Sequence, residues 1–73
     1  MDMKRYRIWI NGEPLFEVDR LNQVPKIKIK NSIVQVKDCL TGVIWEREHC
    51  NSLSNFLDKL MWRSDDNYYP YYN

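Results

Sequence analysis

The stretch RYRIWINGEPLFEV, residues 5–18, decides the fold. Side chains of an extended chain alternate between two faces, so Tyr6, Ile8 and Ile10 share one face while Arg5, Arg7 and Trp9 share the other. Asn11-Gly12 follows, a dipeptide that favours a tight hairpin because both residues tolerate positive φ. The return strand is expected over Leu15 to Val18, with Pro14 at its first position, where a missing N–H is tolerated. A two-residue loop would set Trp9 opposite Pro14 and Arg7 opposite Phe16, mixing polar and apolar groups on both faces. A three-residue loop over residues 11–13 instead sets Ile8 against Phe16 and Tyr6 against Val18. It also sets Arg7 against Glu17 and Arg5 against Asp19, two favourable cross-strand charge pairs. The three-residue loop is therefore the expected one.

The same period recurs downstream. Residues 26–30 read KIKIK, placing Ile27 and Ile29 inward and Lys26, Lys28 and Lys30 outward, and a third strand is expected there. After an Asn31-Ser32 turn, Ile33 to Lys37 form the next strand, with Val34 and Val36 toward the core. Asp38 to Gly42 form a loop. Val43 to Glu48 form the last strand, with Val43 and Trp45 inward and Ile44, Glu46 and Glu48 outward.

The period then changes. Leu53, Phe56, Leu57, Leu60 and Met61 fall at i, i+3, i+4, i+7 and i+8, one apolar stripe on a helix. Ser52 is a natural N-cap, with Asn51 and Ser54 as rivals, and the helix is expected to end near Arg63-Ser64. The stripe could lie in a partner's groove, but strands need a cover, and core is the simpler reading. The expected architecture is a small α+β domain over residues 1–64: an antiparallel meander of about five strands with one C-terminal helix on its inner face.

Residues 65–73 make a separate tail. Asp65, Asp66 and Asn67 lead into Tyr68, Tyr69, Pro70, Tyr71 and Tyr72. Neither helical nor strand period runs through it, and Pro70 blocks continuation of both. So many tyrosines on a free end point to docking, because a tyrosine ring buries large area and its hydroxyl finds a partner. One helix cannot cover five strands, so Trp9, Leu15, Ile33 and Ile44 are expected on an open sheet face, a second docking candidate.

Composition limits the chemistry. Seventy-three residues with 44% hydrophobic content make one folded domain with a core of modest stability, so self-association as a homodimer is expected. Eleven basic and ten acidic residues leave a net charge of +1, too little for a strong global field toward nucleic acid or a membrane. Arg5, Arg7, Lys26, Lys28, Lys30 and Lys37 nevertheless lie on the side of Trp9 and could bind single strands by phosphate contacts and base stacking. Glu17, Glu46 and Glu48 share that side, and a solvated, ion-paired face is the simpler account.

Cys39, His49 and Cys50 match no common zinc spacing, and a hairpin between them would hold Cys39 about 15–20 Å from His49. No metal, disulfide, cofactor or catalytic pair is expected. The carboxylates are scattered, the chain has two glycines, and a domain of this size has little room for a pocket of about 300 Å³. No signal peptide or membrane span is evident, and two cysteines fit the cytoplasm. The absence of alanine, beside abundant asparagine, isoleucine and lysine, suggests an AT-rich genome such as a low-GC bacterium or its phage.

The function these features imply is a non-enzymatic protein-binding module that docks on a larger machine and modulates it. By analogy of size, the model case is a phage inhibitor of a host replication, transcription or defence protein. A single-strand nucleic-acid binder and an accessory subunit of a large complex are the alternatives.

Overall fold

The computed structural model describes residues 4–64, with side chains through residue 61. Four strands and one helix follow in order: β1 (Tyr6–Ile10), β2 (Glu13–Val18), β3 (Ser32–Asp38), β4 (Ile44–Cys50) and α1 (Leu53–Ser64). A short 3-10 turn, Leu21–Gln23, lies between β2 and β3. The strands form one antiparallel sheet in the order β2-β1-β3-β4, which places β1 in the interior. This is the expected α+β class with four strands rather than five.

The hairpin obeys both turn rules at once. Asn11 and Gly12 have φ of 53° and 83°, so the turn is the two-residue kind that asparagine and glycine favour. Trp9 then pairs with Pro14 and Ile10 with Glu13. Beyond them Leu15 is an extra residue, and the register shifts so that Ile8 meets Phe16, Arg7 meets Glu17 and Tyr6 meets Val18. These are the facing pairs the three-residue loop predicted; the bulge at Leu15, not a longer loop, produces them. The Arg5–Asp19 pair does not form: Asp19 is held by Lys4 at 3.3 Å, and Arg5 turns to Asp38.

The segment KIKIK is the missing strand. It pairs with no strand and belongs to the connection that carries the chain from β2, past β1, to β3. The alternation is real but reports only that one side of the segment rests on protein. Ile29 packs against the core and the lysines are exposed, while Ile27 is 37% exposed. A ladder partner depends on topology, and both flanks of β1 are already taken.

The core follows the sequence periods. Tyr6, Ile8 and Ile10 of β1 and Val34 and Val36 of β3 meet Leu53, Phe56, Leu57 and Leu60 of α1. Leu21 and Val24 of the connection complete it, so helix and connection together cover the inner face. Trp45 faces inward as expected and is half-buried, but Val43 is 45% exposed because β4 begins one residue later. Ser52 caps α1, its Oγ accepting the Asn55 N–H at 3.2 Å. Among the described residues no helix is long and apolar enough to cross a membrane.

Candidate interaction surface

No helix or connection covers the second face of the sheet among the described residues. Strand register arranges that face in two rows. Pro14, Trp9, Gln35 and Glu46 form one; Glu17, Arg7, Lys37 and Ile44 form the other. Trp9 sits on the interior strand, half-buried, with the Arg7 guanidinium 6.0 Å from its ring centre. Arg7 is also bound to Glu17 at 2.7 Å. Gln35 Nε2 donates to Glu46 Oε1 at 2.8 Å. A half-buried tryptophan beside an arginine is an amphipathic surface of the kind enriched in interfaces.

Of the other residues expected here, Ile33 lies diagonal to Trp9 near the turn and is 43% exposed. It is held in place by Asn11, whose Oδ1 accepts the Ile33 N–H at 2.9 Å and whose own N–H donates to the Ile33 carbonyl at 2.8 Å. Leu15, the bulge residue, is 45% exposed at the β2 edge. Ile44 is 60% exposed but stands opposite Lys37, four positions from Ile33 and so about 13 Å along β3. The face therefore brings Trp9 and Ile33 to the turn end, with Leu15 at the neighbouring β2 edge, and leaves Ile44 at the far corner of the sheet. Tyr68, Tyr69, Tyr71, Tyr72, Asp65 and Asp66 lie outside the described residues.

The basic residues do not share one face. Arg7 and Lys37 lie beside Trp9, whereas Lys26, Lys28 and Lys30 belong to the connection on the helix side, where Pro25 and Lys26 border Leu53 and Leu57. Arg5 grips Asp38 at the end of β3 through Nε–Oδ1 and Nη2–Oδ2 bonds of 3.1 and 2.9 Å. Asp38 is buried. Burial alone would raise its pKa, but the hydrogen bond from Arg5, the Leu40 and Thr41 amides and the Arg5 charge together hold it below the ordinary carboxylate value. Sequence reasoning treated Asp38 as a loop residue and missed this role.

Cys39 and Cys50 are free thiols at opposite ends of the β3–β4 hairpin, Cys39 after β3 and Cys50 across from Ser32. His49 has a φ of 54° in a second bulge and its Nδ1 is 2.6 Å from Asn31 Oδ1. Among the described residues no group of three or more potential metal ligands comes together. The surface does hold more concave space than the chain length suggested. Open clefts of about 510 Å³, beside Arg5, Arg20 and Met61, and about 410 Å³, between β4 and α1, are both present. In comparisons with protein-family models, curated proteins and solved structures, nothing matches this chain.

Proposed function

We propose that this chain is a small, non-enzymatic protein-binding module that docks on a larger macromolecular machine and inhibits it, working in the cytoplasm. The observation that supports this is the open sheet face, where half-buried Trp9 lies with the Arg7 guanidinium 6.0 Å from its ring centre and exposed Ile33 and Leu15 lie nearby at the turn end. Apolar surface displayed on a preorganised strand costs little entropy to bind, which is what an interface anchor needs. A face of this kind also suits self-association, and a homodimer belongs to the proposal.

The test is affinity capture from cells of the source organism with the wild-type chain and with Trp9→Asp. Recovery of one component of a replication, transcription or defence machine in stoichiometric amount, lost with Trp9→Asp, supports the reading. Equal recovery by both would remove the outer face from it.

Arg7 and Lys37 beside Trp9 favour a second reading, a stacking platform for single-stranded nucleic acid. Mobility shifts with mixed oligonucleotides at low salt test it, and no shift would end it.

A further inference from the structure

The two edges of the sheet differ. β2 is blunted, because Pro14 has no N–H to offer and the bulge at Leu15 breaks the ladder. β4 carries neither device over its first residues. Ile44 to Arg47 pair with β3 in unbroken register, and no strand lies on the other side among the described residues. The Asp38 N–H bond to the Val43 carbonyl, at 2.8 Å, sets the phase of that ladder. Hydrogen-bonded and non-hydrogen-bonded pairs alternate in an antiparallel ladder, so Trp45 and Arg47 turn their main-chain groups toward β3. Ile44 and Glu46, and Glu48 up to the bulge, turn theirs outward.

Beneath this edge lies the groove of about 410 Å³ between β4 and α1, walled by Trp45, Arg47, Phe56 and Leu60, with Glu46, Asp58 and Lys59 also lining it. The Arg47 guanidinium lies 5.4 Å from the Phe56 ring centre and floors it with a flat, half-apolar surface. On the opposite face of the edge Glu46 stands across from Gln35, and Glu48 follows it at the bulge. The ion pairs among the described residues are Lys4–Asp19, Arg5–Asp38 and Arg7–Glu17, so neither glutamate has a cation there.

An extended chain laid along β4 would send alternate side chains into the groove and the intervening ones beside Glu46 and Glu48. We infer that the β4 edge is a strand-addition site for an extended segment of a partner protein in which apolar residues alternate with lysine or arginine. Main-chain bonds to the outward groups of β4 hold the segment, the groove reads its apolar side chains, and the two carboxylates select its charge. A second copy of β4 suits the edge poorly. Pairing two β4 strands about Glu46 sets Glu46 opposite itself, and pairing about Arg47 sets Arg47 opposite itself with Glu46 against Glu48, where like charges repel; pairing about Trp45 avoids that repulsion but sets apolar Ile44 against Glu46. This inference rests on the binding-module reading and gives its partner a chemistry.

The test is a titration of the full ¹⁵N-labelled chain, followed by amide chemical shifts. The probe is a synthetic peptide of about eight residues in which lysine and isoleucine alternate, long enough to span β4. The expected shifts fall on β4 and on the α1 residues that wall the groove. Replacing the probe's lysines by glutamate, or combining Glu46→Lys with Glu48→Lys in the protein, weakens binding by about tenfold or more. N-methylation of the probe amides that face β4 does the same, while methylation of the intervening amides does not. No shift at about millimolar peptide, shifts elsewhere, or indifference to N-methylation would overturn the inference, as would β4 shifts that grow with protein concentration alone. The Trp9→Asp variant binds the probe like the wild type. Loss of probe binding with capture still dependent on Trp9 therefore defeats this inference alone, not the binding-module reading.

Discussion

Arg5, just before β1, holds Asp38, the last residue of β3, by a bidentate bridge with bonds of 3.1 and 2.9 Å. The Arg5 carbonyl adds a main-chain bond of 2.7 Å from Cys39, and Asp38 Oδ1 also accepts the Leu40 N–H at 3.0 Å. One carboxylate thus joins the start of the interior strand to the turn that launches β4. The planar guanidinium matches the two oxygens of a carboxylate, so the contact fixes geometry as well as charge.

Asp38→Asn is expected to destabilise the fold by about 2 kcal/mol at neutral pH, the scale of hydrogen bonds to a charged group. The sign of the pH dependence follows from the lowered pKa. A carboxylate whose folded pKa lies below its unfolded one adds stability that is fully present above the unfolded value of 3.8 and is lost as pH falls through the folded value. Urea unfolding across acid pH should show a loss in the wild type below about pH 4 that is smaller in the variant. Parallel curves for the two proteins would remove Asp38 as the cause.

Gly12→Ala tests the turn. A Cβ at Gly12 would meet nothing within 4 Å, so sterics with neighbours play no part, but φ is +83°. The cost is that of a left-handed backbone alone, about 1–2 kcal/mol. Denaturant titration gives this directly, and an unchanged midpoint would mean that the turn relaxes to another type.

Much of this fold was legible in local pattern. The helix stripe, the Ser52 cap, the inward faces of β1 and β3 and the facing pairs of the first hairpin all come from periods and caps that a sequence displays. What was not legible depends on strand order. The tight Asn11-Gly12 turn and the best facial register conflict unless one residue is extra, and a pattern of residues does not say that Leu15 will be that one. KIKIK alternates because one side leans on protein, yet it finds no ladder, since β2 and β3 flank β1. Asp38 has the residue type of a turn initiator, but its partner lies 33 positions earlier and is brought near only by the β1–β3 pairing. For the candidate surface, Leu15, Ile33 and Ile44 are exposed as expected while Trp9 is half-buried, and the distance of Ile44 from the rest follows from β4 taking the edge.

Ser52→Ala removes the acceptor for the Asn55 N–H at the start of α1. The expected loss is about 1 kcal/mol, with the fold unchanged. Hydrogen exchange should speed up in the first turn of the helix before anywhere else, because an orphaned terminal amide frays locally. Uniform acceleration across the sheet would instead mark the cap as part of the global transition.

Deletion of residues 67–73 tests the tyrosine tail. Among the described residues the buried hydrophobic cluster runs from Tyr6 to Leu60, and the circular dichroism spectrum of the truncated chain should keep its sheet and helix components. Binding is a different matter. Four tyrosines around one proline offer large rings at modest entropy cost, and proline stiffens the chain in advance of ordering. Asp65 and Asp66 remain in the truncated chain and keep their charge, so any loss belongs to the tyrosine segment itself. Capture of the partner, or dimerisation followed by sedimentation equilibrium at micromolar concentration, should weaken by at least tenfold, about 1.4 kcal/mol. Unchanged affinity and mass after the deletion would assign docking to the sheet surfaces alone. A monomeric mass for the intact chain under the same conditions would end the proposal of a dimer, leaving Trp9 and its neighbours to a different protein.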